Sequence, residues 1–413
     1  MNILALNCGS SSLKYRLIAM PREAELAAGE AQRIGPKTAE PARIVYRRDA
    51  GTDTHVVPMA SHAEAFDQVM ALLAKDAALI PDAIGHRVVH GGDRFSRPAV
   101  IDGDAMKDLV AVQGLAPLHN PPATALIKAC QSRYPRLPQV AVFDTAYHST
   151  IPERARTYTL PKSLRDGLGL RKYGFHGISH QYVVGEAARF LGRPLESFNA
   201  VSCHLGSGGA SLCAVVNGES VDNTMGYCPL QGLVMSTRCG DLDPAVTLKL
   251  MIEAMGSGKA VEAMLNKASG VLGLSGMSGD IRDVFSALSS AKNHSRRLNR
   301  AAQVYLWRIR KYLGAYMAAV GRTDAVIFTD TIGETVPLVR WSACVDMEFF
   351  GLKIDEARNE AVKEMPADIA ADSSDARILV VQTNEELAIA RESYGALTSR
   401  SKGPAVNSCG GES

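Results

Sequence analysis

At 413 residues the chain is too long for one compact core, and two domains of ordinary size are expected. Hydrophobic residues make up 46% and charged residues 21%, the balance of a globular chain rather than a disordered one. With 45 Lys+Arg against 43 Asp+Glu the net charge is +2, so no basic excess recruits nucleic acid or an anionic membrane, and no apolar run approaches the ~20 residues that span a bilayer. The eight cysteines form no Cys-x-x-Cys pair, which argues against a zinc ribbon or a disulfide framework. No basic segment precedes the short apolar stretch Ile3–Leu6, so no signal peptide is expected. These features describe a cytoplasmic protein with free thiols.

In chain order, Ile3–Leu6 reads as a buried strand, residues 7–12 as a polar turn, and Leu13–Ile18 as a returning strand. Ala83–Val89 is a strand ending in His90-Gly91-Gly92. Pro121-Pro122 marks a helix start, since proline is tolerated in the first turn, and the helix continues through Ala123–Cys130. Gln139–Phe143 is a strand that ends in Asp144. At mid-chain the pattern recurs: Ala200–Cys203, the turn His204–Gly209, then Ala210–Val216. Two strand–turn–strand units half a chain apart suggest two related halves. From about Arg297 to Val320, Tyr305, Ile309, Tyr312, Leu313, Tyr316 and Val320 recur at helical spacing with Gly321 as C-cap. Ala325–Phe328 is a strand directly after it. Strands alternating with helices, and a hairpin in each half, predict an α/β protein of two layered domains. The Ser/Gly-rich tail from Thr398 to Ser413 is expected to be mobile.

Polar residues gather where the predicted strands end, which is where open α/β sheets bind ligands. Arg87 and Asp144 lie there, with His119-Asn120 before a helix and Thr237–Asp241 after an apolar stretch. The two Gly/Ser turns let backbone N–H groups approach an anion, with serine hydroxyls and Lys14 as further donors. Neither fits a Walker loop nor opens a helix as a dinucleotide fingerprint should, and glycine needed only for hairpin geometry is the competing explanation. His86 and His90, and His176 and His180, have the spacing of two ligands on one helix face. Glycines flank His176 and no Glu stands in a His-Glu-x-x-His position, so these histidines are expected to face solvent or substrate rather than zinc. Arginines, histidines, an aspartate and two such turns are the parts of a phosphoryl-transfer site, in which positioning and charge neutralisation do most of the work. Mg²⁺ is the divalent ion suited to such a site.

These residues resemble the acetate kinase family of short-chain carboxylate kinases, within the sugar kinase/actin/heat-shock ATPase superfamily. The resemblance runs from about Met1 to Glu392. It is carried by Asn7–Lys14, His86–Gly92, Leu115–Pro122, Phe143–His148, Tyr173–Gly177, Gly232–Pro244, Ser278–Val284 and Thr383–Glu386. It implies two domains with duplicated actin-like, ribonuclease H-like sheets and an active-site cleft between them. Residues 1–145 with a returning segment 384–413 would form the carboxylate-kinase domain, and 146–383 the nucleotide-binding domain. It also implies reversible, Mg²⁺-dependent (or Mn²⁺-dependent) phosphoryl transfer between ATP and acetate, giving acetyl phosphate and ADP, in a cytoplasmic homodimer.

By the same resemblance, Asn7 and Glu385 would hold the metal directly or through water. Ser10, Ser12 and Lys14 would face the phosphates from one side and His204, Leu205, Gly206, Ser207 and Gly208 from the other. Arg87 and Arg238 would grip the carboxylate and then the migrating phosphoryl group. His176 would donate to that group, supported by His119. Asp144 stands at the family's acid/base position, but a carboxylate nucleophile is already ionised near neutral pH, so an orienting role is expected. Val89, Leu118, Phe175 and Pro229 match positions lining the methyl pocket; Asp280, Ile281 and Arg282 match nucleotide contacts.

Two departures stand out. The turn 204–211 carries one more glycine than the family's His-Leu-Gly-Asn-Gly-Ala-Ser, and Ser207 replaces asparagine. The nucleotide loop, usually Ala-Gly-Ile-Gly-Glu-Asn, reads Asp330-Thr331-Ile332-Gly333-Glu334-Thr335, placing a β-branched residue and a negative charge near the nucleotide. Weaker ATP binding, a different donor such as pyrophosphate, and a local rearrangement all remain open. Propionate kinase activity and a nucleotide-dependent switch without turnover are the alternatives to acetate kinase activity.

Overall fold

A computed structural model describes residues 1–9, 11–35, 40–48, 51–290 and 295–401. The chain divides into two compact units, Met1–Ala146 with Asn384–Ser413, and Tyr147–Thr383.

The first unit is built on eight strands: β1 (Asn2–Cys8), β2 (Ser12–Ala19), β3 (Ala24–Gln32), β4 (Arg43–Arg48), β5 (Gly51–Val56), β6 (Ala83–Val88), β7 (Ala99–Val100) and β8 (Gln139–Phe143), in the order β5-β4-β3-β2-β1-β6-β8-β7. Strands β1, β6 and β8 are mutually parallel, whereas β1 to β5 form an antiparallel meander. Ile3–Leu6 is buried throughout because both faces of β1 are covered. The helices His62–Leu73 and Asn120–Arg133 contribute Phe66, Val69 and Leu126 to one core. The last helix, Glu385–Ser401, packs Ala390, Leu387 and Tyr394 around Ile3 and Ile18. Burial on both faces is why these strands read as unbroken apolar runs.

The second unit has six strands: β9 (Ala200–Leu205), β10 (Ala210–Val216), β11 (Glu219–Asn223), β12 (Ala325–Thr329), β13 (Ala367–Asp368) and β14 (Arg377–Val380), ordered β11-β10-β9-β12-β14-β13. β9, β12 and β14 are parallel, and the flanking pairs are antiparallel. This is the order and sense of β3-β2-β1-β6-β8-β7, without the β4–β5 ribbon. The two turns read from the sequence thus belong to two copies of one sheet. The helix Gly177–Phe190 packs Val183, Val184, Ala187 and Ala188 on one face of it. The helix Arg296–Val320 crosses β9 and β10, starting at the Ser295 cap and ending at Gly321, whose φ of 76° suits glycine.

Two expectations change. Residues 330–335 form a short helix, Asp330–Thr335, rather than a loop. Thr398–Ser401 continue the last helix, with the Thr398 hydroxyl donating to the Tyr394 carbonyl; the remainder of that tail lies outside the described residues. No helix among the described residues is long and apolar enough to cross a membrane.

Candidate active site

Each unit gathers its polar side chains at the carboxyl ends of its three parallel strands. In the first, Leu6 is in register with His86, and Arg87 with Val142, so Asn7, Arg87 and Asp144 emerge side by side. The Arg87 fork meets Asp144 bidentately, Nε to Oδ1 at 3.0 Å and Nη2 to Oδ2 at 2.6 Å. Its Nη1 donates to Asn7 Oδ1 at 3.0 Å and lies 3.9 Å from Glu385 Oε2. Asn7 Nδ2 donates to the same Glu385 oxygen at 3.1 Å. Burial alone would lower the guanidinium's pKa, but Asp144 and Glu385 outweigh it and raise it. Asp144, with its side chain 2% exposed, is therefore a fixed anion committed to an arginine. Glu385 opens the last helix, whose start Asn384 caps through Leu387 N.

Among the other residues expected in this unit, Ser12 and Lys14 begin β2, with Lys14 exposed and opposite Asn7. Ser10 lies outside the described residues. Val89 is half-buried and Leu118 is 65% exposed. His119 precedes the helix Asn120–Arg133, and Asn120, expected with it among the polar residues near the site, is wholly buried. Its amide exchanges hydrogen bonds with the His90 backbone and also reaches the Val112 carbonyl, tying the segment before the helix to the end of β6.

In the second unit Thr329 pairs with His204, which brings Asp330 to the glycine turn. His204 Nε2 lies 3.0 Å from Asp330 Oδ2, and His204 Nδ1 bonds Ser179 Oγ at 2.9 Å. Burial would raise the Asp330 carboxyl's pKa, but His204 and the Thr331 amide and hydroxyl overcome it and hold it well below the usual carboxylate range. Asp330 takes φ +62°, a left-handed conformation that aspartate tolerates, and its carboxylate sits against the Gly206 α-carbon. The departure at position 330 thus supplies a carboxylate that contacts His204 and locks the first residue of the turn. Glu334, raised by burial, accepts the Thr383 and Asp330 amides, and the buried Arg340 donates to the Gly333 and Glu334 carbonyls, closing the short helix. Of the remaining nucleotide candidates, Leu205 is buried in β9, Ile332 is buried in the short helix, and Thr335 bonds back to the Thr331 carbonyl. Ser207 and Gly208 lie exposed in the turn, Asp280 caps the helix Ile281–Ser289, and Arg282 forks back onto Asp280.

His176 stands at φ +58° immediately before the helix Gly177–Phe190, its ring stacked on His204 with centroids 4.2 Å apart. Its Nδ1 bonds Ser211 Oγ at 2.8 Å, and the same oxygen lies 2.9 Å from His180 Nε2. The one Ser211 proton serves only one ring, so at least one imidazole donates to it. His86, His90 and His180 are buried rather than facing solvent or substrate; His86 pairs with Gln139, and burial lowers it to about 4. His180 is lowered by burial and then by His148 and His204. No group of three metal-ligating side chains occurs among the described residues.

Arg238 differs from Arg87 in its company. Its Nη1 donates to the Pro229 carbonyl at 3.0 Å, and no carboxylate pairs with it among the described residues. Burial lowers its pKa. A Cβ placed on Gly209 would sit 3.5 Å from both Arg238 Nη1 and His176 Nε2, so cation, imidazole and turn backbone converge on one glycine. Donors without an anion in a partly desolvated place make a site for one. The Phe175 ring is 1% exposed within the unit's core, and its carbonyl accepts from His148 Nε2 or Asn223.

A family model described as the acetokinase family matches residues 2–391. The chain belongs to the acetokinase family. It is 46% identical over 400 residues to an acetate kinase of Alkaliphilus metalliredigens, covering 95% of this chain and 99% of that one. The solved structure of Porphyromonas gingivalis acetate kinase superposes with a TM-score of 0.88 at 37% identity, covering 96% of this chain and 99% of that one. A propionate kinase from Francisella tularensis gives 0.87 at 37% identity, covering 95% and 98%. As a member of this family the chain is a kinase with an actin-like fold, and such kinases use a divalent metal for phosphoryl transfer from ATP.

Proposed function

We propose that the chain is an acetate kinase, catalysing acetate + ATP ⇌ acetyl phosphate + ADP. The observation that carries this reading is the convergence of Arg238, His176 and the glycine turn on Gly209, where no carboxylate among the described residues pairs with Arg238. An acetate oxygen attacks the γ-phosphorus, the bond to the β,γ-bridging oxygen breaks, and its electron pair leaves on ADP. No proton need be removed, because acetate is ionised near neutral pH. Asp144, already an anion on Arg87, orients that arginine toward the carboxylate. Arg238 and His176 neutralise the equatorial oxygens of the moving phosphoryl group.

Mg²⁺ suits the first unit's donors. Glu385 supplies a carboxylate not locked in a bidentate pair, and Asn7 an amide oxygen; a protein site this sparse fits an ion that keeps waters and takes its other ligands from phosphate. Bound there, the ion would offset phosphate charge, and Mn²⁺ has the same donor preference. A cytoplasmic setting accords with the unpaired thiols of the described cysteines, and a homodimer with apolar side chains left exposed on the second unit, such as Phe349 and Trp307.

That curated relatives at 45–46% identity are named acetate kinases favours acetate over propionate. Purified protein given Mg²⁺, ATP and acetate should yield an acyl phosphate trappable by hydroxylamine. Absence of product in both directions would overturn the reading. Product from pyrophosphate but not ATP would assign the other donor, and tight nucleotide binding without product would assign a switch.

A further inference from the structure

A crevice in the second unit is walled by Gly206 and Ser207 of the turn, by Met235, Ile281 and Ile332, and by Tyr305 from the helix Arg296–Val320. Tyr305 is 3% exposed, and its hydroxyl has no hydrogen-bond partner among the described residues. Buried hydroxyls are nearly always satisfied, so an orphan of this kind asks for a reason. Ala301, Ala302 and Ile309 of the same helix face are buried with it. Burial and the nearby Asp280 charge both keep the phenol protonated, leaving it a donor. Met235, Ile281 and Ile332 supply apolar walls, and the hydroxyl-bearing side chains of Ser207, Ser236 and Tyr305 line the same crevice, which adjoins the turn assigned above to the donor's phosphates.

We propose that the Tyr305 hydroxyl donates a hydrogen bond to the nucleoside part of the phosphoryl donor, and so helps the enzyme distinguish a nucleotide from a bare polyphosphate. The assignment rests on the proposed function and adds a residue to it. Sequence reading took Tyr305 only as one apolar position of a helical stripe, because a phenol and a phenyl ring have the same periodicity.

The test is Tyr305→Phe in the full-length protein, which removes the hydroxyl and keeps the ring. The KM for ATP, and for ADP in the reverse direction, should rise roughly two- to tenfold, the worth of one neutral hydrogen bond. The KM values for acetate and acetyl phosphate should not move. The thermal midpoint should hold or rise, since the variant discards an unsatisfied buried group. Tripolyphosphate, which has no nucleoside, should inhibit wild type and variant with the same Ki. Unchanged nucleotide KM values, a parallel rise in every KM, or a weaker tripolyphosphate Ki would each overturn the proposal. If wild type makes no acyl phosphate, it is the proposed function that has failed; calorimetric ATP binding to the two proteins then decides on Tyr305, with equal affinities overturning its role.

Discussion

Arg87 and Arg238 are the same side chain in opposite electrostatic circumstances. Arg87, in the first unit, is met by Asp144 and approached by Glu385, so its charge is balanced by the protein itself. Arg238, in the second, has among the described residues a carbonyl and a methionine sulfur as acceptors at its Nη1, and burial makes its charge costly. The difference separates structure from reactivity. A balanced arginine stabilises the fold and sets geometry, whereas an unbalanced one stores affinity for an anion that has yet to arrive.

The comparison can be broken most directly at Arg238. Arg238→Ala should cut kcat by roughly 10³-fold or more, as loss of an arginine facing a transferring phosphoryl group does, while unfolding midpoints barely change. A kcat within tenfold of wild type would show that the unbalanced cation is idle. Arg87→Ala should show the converse signature in denaturant unfolding: about 3 kcal/mol lost, because the buried Asp144 loses the cation that meets it bidentately. Activity would fall as well, but a stability unchanged from wild type would mean the pair is not what holds these strand ends.

The histidines extend the contrast to pH. Burial holds His148 at about 4 and His180 well below its ordinary value, against ~6.5 in an unfolded chain. Below pH 6.5 the unfolded chain takes up these protons while the folded one does not, so stability complete above that pH is lost as it falls toward 4. The loss for His148 is on the order of 3 kcal/mol by pH 4. Thermal midpoints across that window should drop, and His148→Gln should flatten the slope; an unaltered slope contradicts the assignment. A smaller effect is expected from Asp330→Asn, which keeps the shape and removes the charge beside Gly206. The KM for ATP should fall several-fold, and a rise would show instead that fixing His204 matters more than repulsion. Smallest of all, Leu118→Ala should alter the ratio of kcat/KM for acetate and propionate by no more than about tenfold, since one methylene is worth little.

What could be read from the sequence follows from local physics. β1, β6 and β8 announce themselves as apolar runs because they are covered on both faces, and Arg87 and Asp144 stand out as charges at their ends. The helix Arg296–Val320 shows its stripe, and the two glycine turns hint at the duplicated sheet. The β4–β5 ribbon, half exposed and without a run, was silent. Residues 330–335 read as a loop in the sequence because a left-handed Asp330 and a buried Arg340 that closes the short helix leave no periodic trace. The Ser179, Ser202 and Ser211 contacts to His204, His180 and His176 were equally hidden: a hydroxyl inside a buried segment looks like any small residue until its partner arrives from far along the chain.

The helix Glu385–Ser401 is the last described segment, yet it covers β1, the first strand, and its Ser393 and Ile389 press against Gly85, where a Cβ would collide with them. During synthesis the opening strands must therefore wait on the ribosome until residues 385–401 have been made. Their sheet stays bare on one side, and Glu385 reaches Asn7 only after the whole second unit has been made. Translation thus delivers the second unit whole before the first can close, and a chain cut short after residue 384 would leave a sticky, unfinished half rather than a smaller enzyme.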